Sequence, residues 1–218
     1  MINTNVAQML ILLPAVIIGF TLHEFAHAFV AVRLGDETPR LQHRYTLNPL
    51  SHISIVGLIL ILFVGFGWAK PVQFNPANFK RPARDEILVA LAGPITNFLL
   101  CLFFLFIIRL FFPSGTTPLD GSYGVRLAYQ LLVAASWINL LLFLFNLLPI
   151  PPLDGSHLLL QAIPDRYAAF KANLTKWGSI VFLVVIVTGV VTKWNIFPIG
   201  DVTTWLFQRI AGVFFSVG

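Results

Sequence analysis

The sequence has little charge and a single cysteine, and each shortage excludes a class of protein. Only 11% of its 218 residues are charged and 57% are hydrophobic, whereas about a quarter of the residues of a soluble domain are charged. Such a chain cannot cover its apolar surface with polar groups, which excludes an ordinary water-soluble fold. The lone Cys101 excludes a disulfide framework and a metal site built from several cysteines. The 21 phenylalanines and the long apolar runs exclude intrinsic disorder.

Basic residues outnumber acidic ones, with 14 Lys and Arg against 9 Asp and Glu. They are scattered through short connections between apolar runs, a distribution typical of the loops that set membrane topology. We therefore expect a lipid bilayer as a partner and no nucleic acid. The first five residues carry no positive charge, and the apolar run after them lacks a small-residue cleavage pattern. We expect this run to be a retained segment rather than a removable signal peptide.

The apolar runs predict an all-α polytopic membrane protein. A membrane-spanning helix needs about 20 mostly apolar residues. Four segments meet or approach this length, namely Val6 to Val32, Ile87 to Phe112, Leu127 to Leu148 and Trp177 to Val191. A fifth run, Ile53 to Ala69, is shorter and contains three glycines. The last, Trp205 to Val217, mixes aromatic and polar residues and predicts a short interfacial helix. Because no long linker interrupts the chain, we expect residues 1–218 to form one domain.

The first span carries three polar side chains within five positions. His23 and His27 are four residues apart, so they lie one turn apart on one helix face, and Glu24 lies between them. A charged side chain in hydrocarbon costs at least about 2.5 kcal/mol, so such a group needs partners. A lone histidine here would be read as a packing residue. The pattern His-Glu-x-x-His is instead typical of zinc metalloproteases, where both imidazoles bind the metal and the glutamate is the general base.

A catalytic zinc takes a third protein ligand, and the chain has few candidates. Asp154 follows an apolar stretch whose prolines prevent a continuous helix. Irregular backbone at membrane depth is tolerated only when it is buried in protein or lines a wet cavity, so we predict that Asp154 is the third ligand. The alternative is that Asp154 only caps a following helix, and the two roles are compatible. His43 and His52 are predicted to be interfacial, and His157 to be solvated or to support the site.

Three motifs in this order resemble the site-2 protease family of intramembrane zinc metalloproteases. They are His23-Glu24-Phe25-Ala26-His27, then Ala92-Gly93-Pro94-Ile95-Thr96-Asn97, then Asn146-x-x-Pro149 leading to Leu153-Asp154-Gly155. The run Gly67-Trp68-Ala69-Lys70-Pro71-Val72 is similar to that of the compact subgroup that lacks a PDZ domain. The resemblance covers about residues 15–165.

This resemblance implies the chemistry and the substrate. One Zn²⁺ per chain would be held by His23, His27 and Asp154, and Glu24 would activate the water. Asn97 and Asn146 would lie near the site as catalytic residues, steadying the substrate backbone or the oxyanion. The substrate would be a single-span membrane protein or a signal-peptide remnant in a bacterial cell membrane.

Shared coordination by His23 and Asp154 constrains the topology. His23 lies toward the C-terminal end of the first span and Asp154 follows the third, so those two ends would face the same side of the membrane. The two spans between them return the chain to its starting side, so Ile53 to Ala69 should be a re-entrant hairpin. That arrangement places ten Lys and Arg on one side and four on the other, whereas a spanning segment would give seven on each. The positive-inside rule favours the uneven count and predicts a metal site toward the cytoplasm.

Two other functions remain open from the residues alone. An ion or proton transporter would use intramembrane His, Glu and Asp as a path, and a catalytically silent zinc-binding scaffold would keep the ligands without needing Glu24. The favoured hypothesis is a zinc-dependent endopeptidase that cleaves within or near a transmembrane segment of a membrane-anchored substrate. In that case Trp68 to Phe74 could pair with an unwound substrate strand.

Overall fold

The chain folds into α-helices joined by short connections, as a computed structural model shows. It describes residues 6–64, 67–113, 121–192 and 198–215. The helices are α1 (Val6–Arg33), α2 (Thr38–Leu41), α3 (Pro49–His52), α4 (Ile55–Val64), α5 (Pro82–Phe111), α6 (Tyr123–Asn146), α7 (Gly155–Ala162), α8 (Ala168–Thr192) and α9 (Ile199–Phe215). Two 3₁₀ turns, Pro76–Asn78 and Asp165–Tyr167, precede α5 and α8. The predicted all-α polytopic class is therefore confirmed.

Within the described residues, four helices are long and apolar enough to cross a bilayer, which confirms the predicted number of spans. These segments are Leu12–Arg33, Pro82–Phe111, Tyr123–Asn146 and Asp165–Gly189. The second, third and fourth begin several residues earlier than the apolar runs that predicted them. The reason is that helical hydrogen bonding continues past the hydrocarbon boundary into polar residues. In α5, for example, Pro82 occupies a first-turn position, where its missing N–H costs nothing.

The core lies between α1, α5 and α6, which pack along one another. Small side chains let α1 approach α6, with Ala15 and Val16 of α1 buried against Ala135 and Ile138 of α6. A second cluster joins Cys101, Leu105 and Ile108 of α5 to Leu140 of α6. The window of α8 that could cross the membrane is only 6% buried, so most of α8 lies on the surface of the protein.

The C-terminal helix is longer than predicted and packs on the core. It runs as α9, Ile199–Phe215, whereas the sequence predicted a start near Trp205. Its apolar side covers the second cluster through Leu206 and Ile210, while Trp205 and Val213 are exposed. Residues 216 and 217 of the predicted helix lie outside the described residues, and the interfacial position of α9 stays a prediction.

The segment predicted to be re-entrant forms a closed hairpin. Helix α4 has only ten residues, about half the length that a span requires. Ile53 and Ala69 form an antiparallel bridge, and the N–H of Lys70 donates to the carbonyl oxygen of His52 over 2.7 Å. Both ends of the segment therefore meet at one place, and the segment makes no net crossing.

Glycines allow the returning limb of this hairpin to touch α4. A Cβ placed on Gly57 would collide with the carbonyl oxygen of Trp68, and one placed on Gly67 would collide with the carbonyl oxygen of Gly57. No larger residue fits at either position without moving a backbone. Two of the three glycines of this run therefore allow its limbs to approach, and the third, Gly65, lies outside the described residues.

Candidate metal centre

Helix α1 presents two imidazoles on one face and a carboxylate beside them. The Nε2 atoms of His23 and His27 lie 3.0 Å apart, as expected for residues one turn apart. Both rings and Glu24 are buried. Since Glu24 follows His23 directly, its side chain leaves the helix about 100° around the axis. It is therefore beside the imidazole pair and not within it.

Asp154 reaches the same place from the other end of the core. After α6 the chain makes irregular turns, and Asp154 occupies the N-cap position of α7 without a side-chain capping hydrogen bond. Its Oδ2 instead lies 3.1 Å from Nε2 of His23 and 3.4 Å from Nε2 of His27. One ligand atom from each of the three residues lies within 4.8 Å of the others. The structure thus brings together the three residues that the sequence proposed as ligands.

The hydrogen bonds behind the rings decide which atoms face this point. Nδ1 of His23 donates to Oδ1 of Asn97 over 2.6 Å, and Nδ1 of His27 donates to the carbonyl oxygen of Val89 over 2.7 Å. With Nδ1 as the donor of a neutral ring, each Nε2 carries a lone pair. The facing Oδ2 of Asp154 is buried without a hydrogen-bond partner. With their protons on Nδ1, the two rings and the carboxylate direct three acceptor atoms at one point, and this arrangement fits a cation.

The donor set also fits zinc in particular. Two imidazole nitrogens and one carboxylate oxygen are a common catalytic zinc set, in which three protein ligands leave a fourth position for water or substrate. The hydrogen bonds on Nδ1 are the usual outer partners of a metal-binding histidine, since they fix its tautomer and ring orientation.

Asn97 lies behind His23. Its Oδ1 accepts from the ring, and its Nδ2 donates to Oδ1 of Asn139 over 2.9 Å and to the carbonyl oxygen of Gly19 over 3.2 Å. The side chain is fully buried. These contacts hold the carboxamide against α1 and α6, where it orients an imidazole.

Asn139 extends this network and was missed by the sequence analysis. It is fully buried in α6, and its Nδ2 donates to the carbonyl oxygen of Ala135 over 2.8 Å. Its Oδ1 is then directed at Asn97. A usable signal existed, because an amide in the middle of an apolar span needs an internal partner. We name the chain of His23, Asn97 and Asn139 the amide relay.

Asn146 was the other asparagine predicted to lie near the site. Among the described residues, no hydrogen bond joins it to the ligand cluster. It ends α6, and its Nδ2 donates to the carbonyl oxygen of Leu142 over 3.0 Å. Its side chain is half-buried. Asn146 precedes the turns that lead to Asp154. Its predicted role near the site stays a prediction.

Gly93 brings the backbone of α5 against the imidazoles. A Cβ at this position would collide with Nε2 of His27 and would lie 2.6 Å from Cε1 of His23. Only glycine therefore lets α5 approach the ring pair this closely. The Gly-Pro pair was part of the motif that carried the resemblance, but its steric reason is visible only in three dimensions.

The segment after the hairpin lies next to Glu24. The N–H of Val72 donates to Oε2 of Glu24 over 2.8 Å, and both residues are buried. Further along, the N–H of Asn75 donates to Oδ2 of Asp36 over 2.7 Å. We call residues 70–75 the connecting segment. It is hydrogen-bonded both to the glutamate and to Asp36 after the end of α1, and its predicted pairing with a substrate strand stays a prediction.

The other histidines lie outside the ligand cluster. His43 is exposed and His52 is fully buried, with Nε2 of His52 donating to the carbonyl oxygen of Thr46 over 2.7 Å. Neither belongs to the ligand cluster, and their predicted interfacial position stays a prediction. Nδ1 of His157 lies 2.7 Å from Oε1 of Glu86, whose Oε2 accepts from Gln161. This pair joins α7 to α5 just after Asp154. His157 was predicted to be solvated or to support the site, and this contact fits a supporting role.

Comparisons with known proteins agree on one group of enzymes. Residues 121–190 match the sequence profile of Peptidase family M50. The chain is 40% identical over 195 residues to "Putative zinc metalloprotease YwhC" of Bacillus subtilis, covering 89% of this chain and 84% of the relative. It is 27% identical over 197 residues to "Putative zinc metalloprotease Rip2" of Mycolicibacterium smegmatis, covering 88% and 71%. A relative of the same description from Methanocaldococcus jannaschii is 33% identical over 157 residues, covering 72% and 73%. No solved structure matches.

Proposed function

The chain belongs to peptidase family M50, the site-2 protease family of membrane zinc metalloproteases, and from this premise we propose that it is an intramembrane endopeptidase. It would hydrolyse a peptide bond within or near the transmembrane segment of a membrane-anchored substrate. One observation carries the proposal: His23, His27 and Asp154 converge in a protein built of membrane-spanning helices. Glu24 lies beside them.

One zinc ion per chain would be held by Nε2 of His23, Nε2 of His27 and Oδ2 of Asp154. The support is the convergence of these three atoms, together with a buried Oδ2 of Asp154 that has no hydrogen-bond partner. When bound, zinc supplies a Lewis acid that polarises the scissile carbonyl and lowers the pKa of a bound water toward about 7. The protein's contribution is to orient these ligands and to exclude bulk water from the site.

Glu24 would be the general base and then the general acid. Its Oε2 is held by the N–H of Val72, which fixes the carboxylate and leaves Oε1 to take the proton. As the water oxygen bonds to the substrate carbonyl carbon, its proton passes to Glu24. The same proton then goes to the amine nitrogen as the peptide C–N bond breaks, so the carboxylate is regenerated.

The amide relay would position His23 rather than touch the substrate. Asn97 accepts from Nδ1 of His23, which keeps the proton on that atom and the lone pair on Nε2. Asn139 holds Asn97 in turn. For Asn146 we retain the predicted role near the substrate, since it is the last residue of α6, directly before the turns that lead to Asp154.

The active site would face the cytoplasm of a bacterial cell. The closed hairpin of α4 supports this orientation, because a segment without a net crossing leaves ten basic residues on the side of the metal centre. The substrate would then be a single-span membrane protein or a signal-peptide remnant that unwinds near this side. The connecting segment, in which the N–H of Val72 donates to Glu24, would contact this substrate.

Glu24→Gln separates this function from its rivals. The glutamine keeps an oxygen for the N–H of Val72 but cannot accept a proton at pH 7. For purified protein in lipid vesicles we expect unchanged zinc content and at least a 100-fold slower cleavage of a single-span substrate, since acid–base catalysis contributes about 10² to 10⁴.

The matched control is Glu37→Gln, which changes an exposed carboxylate paired with Arg40 and should leave both quantities unchanged. Cleavage that survives Glu24→Gln would refute the mechanism. A silent scaffold would show zinc but no cleavage in any form, and a transporter would show no stoichiometric zinc.

A further inference from the structure

A basic cavity lies where α1 ends and α5 begins. It has a volume of about 320 Å³ and is lined by Arg33, Leu34, Lys80, Arg81, Arg84 and Asp85. Four of these six residues are cations. They come from two segments far apart in the sequence, so it is the folding of α5 against α1 that gathers them.

The cavity has no acidic group free to balance this charge. Asp85 is buried, and its Oδ2 accepts from the backbone N–H of Arg81 over 3.0 Å. Its carboxylate therefore accepts a hydrogen bond at the start of α5. Among the described residues, none of the four cations forms a salt bridge, in contrast to Arg40 and Lys171, which pair with carboxylates. The cavity thus gathers more positive charge than its single carboxylate can offset.

The depth of the cavity in the membrane follows from the two helices. Arg33 is the last residue of one spanning segment, and Pro82 is the first of the next. Residues at the ends of spans lie at the level of the lipid headgroups. At this level the commonest anion is the phosphate of a phospholipid.

Two exposed apolar side chains lie one helical turn deeper than cations of the cavity. Phe29 lies one turn deeper than Arg33 and is 36% exposed, and Leu88 lies one turn deeper than Arg84 and is 39% exposed. The guanidinium of Arg33 lies over the ring of Phe29 at 5.0 Å. A free phosphate ion would not contact these apolar side chains. A lipid would place its headgroup among the cations and an acyl chain along Phe29 and Leu88.

From this arrangement we infer that the cavity between α1 and α5 binds the phosphate of an anionic phospholipid. The four cations contact the headgroup, and the exposed faces of Phe29 and Leu88 contact the chain. The site is separate from the ligand cluster, so lipid binding does not depend on catalysis. Basic pockets between membrane helices are suited to such headgroups because each interfacial cation contributes about 1 kcal/mol.

The test measures lipid selectivity in vesicles. The whole protein is placed in phosphatidylcholine vesicles with a trace of spin-labelled phosphatidylglycerol or spin-labelled phosphatidylcholine, and electron spin resonance gives the relative association of each label. The pocket variant is Arg81→Gln with Arg84→Gln. The matched control is Arg166→Gln with Lys176→Gln, which removes the same charge from two exposed positions outside the cavity.

We expect the parent and the control to prefer phosphatidylglycerol and the pocket variant to lose that preference by roughly 25-fold, about fivefold for each of the two cations. Arg81→Lys with Arg84→Lys should retain it. Equal losses in the pocket and control variants would overturn the inference in favour of general surface charge, and so would an unchanged preference. Displacement of the label by added inorganic phosphate would show that the cavity takes the free ion. If the pocket variant loses helical content, Arg33→Gln with Lys80→Gln makes the same test from the other residues of the cavity.

Discussion

The three candidate ligands differ from the other buried polar residues in how their atoms face one another. Ser136, for example, is fully buried, but its hydroxyl donates to the carbonyl oxygen of Leu132, so its polar atom is satisfied within its own helix. His23, His27 and Asp154 instead direct acceptor atoms at one point. A buried acceptor without a partner costs about 1 to 3 kcal/mol. A cation that binds at this point would satisfy these acceptor atoms and would therefore stabilise the folded protein.

At the scale of single residues, Asn139→Ala should weaken zinc binding without touching a ligand. The change leaves Nδ2 of Asn97 with the carbonyl oxygen of Gly19 as its remaining acceptor, so the carboxamide can turn and release Nδ1 of His23. Residues behind a metal ligand typically contribute 10- to 100-fold in affinity, and we expect about tenfold for this outer member of the amide relay. The measurement is the zinc dissociation constant from competition with a chelator.

Ser136→Ala is the control for Asn139→Ala, since it removes a buried polar group one turn earlier in α6 that does not reach the relay. It should leave the zinc dissociation constant unchanged. If both variants bind zinc as tightly as the parent, or if both weaken it equally, the amide relay has no specific role in positioning His23.

At the scale of elements, one carboxylate joins the end of α1 to the connecting segment. Asp36 is fully buried and accepts from the N–H and hydroxyl of Thr38, the N–H of Asn75 and the side chain of Asn78. Burial alone would raise the pKa of Asp36, but the hydrogen bonds from Thr38, Asn78 and Asn75 outweigh it and lower the pKa. The charged form is therefore the one that holds the segment in place.

The pH dependence of stability follows from this sign. Because the folded-state pKa of Asp36 is below its unfolded value of about 3.9, its contribution is complete above that pH and is lost as the pH falls through the folded-state value. Asp36→Asn should lower the free energy of unfolding at pH 7 by about 1 to 3 kcal/mol and flatten the loss of stability in acid. The thermal inactivation midpoint, measured at several pH values from neutral to acidic, reports both the lower stability at pH 7 and the flatter loss in acid.

Asp165→Asn is the comparison for Asp36→Asn. Asp165 is fully exposed and bonds only to Lys171, so its removal should change the inactivation midpoint little at any pH. An Asp36→Asn protein as stable as the parent at neutral pH would contradict the anchoring role.

The sequence predicted the elements better than the contacts between them. The four spans could be found because a bilayer demands about 20 apolar residues, and the hairpin followed from requiring His23 and Asp154 to face one side. Contacts such as Val72 with Glu24, or Asn97 with Asn139, join residues 48 and 42 positions apart. No local pattern encodes them, since they depend on how α1, α5 and α6 pack.

At the scale of the whole molecule, the orientation of the chain can be tested by labelling. In a Cys101→Ala background, Gln42→Cys and Asn75→Cys should react from the same side of intact cells, because the hairpin between them makes no net crossing. Ser122→Cys, between α5 and α6, should react from the opposite side. With an impermeant thiol reagent we expect labelling of Ser122→Cys alone until the membrane is opened. Opposite sidedness of Gln42→Cys and Asn75→Cys would refute the re-entrant topology.

The proposed function requires a zinc ion held jointly by α1 and by Asp154 after α6. X-ray absorption at the zinc edge of the purified protein tests this most directly, together with Asp154→Asn and with Asp165→Asn as its control. We predict one zinc per chain with two imidazole nitrogens and at least one carboxylate oxygen near 2.0 to 2.2 Å, and a loss of zinc in Asp154→Asn alone. A parent protein without zinc, or a zinc environment that Asp154→Asn leaves unchanged, would contradict it.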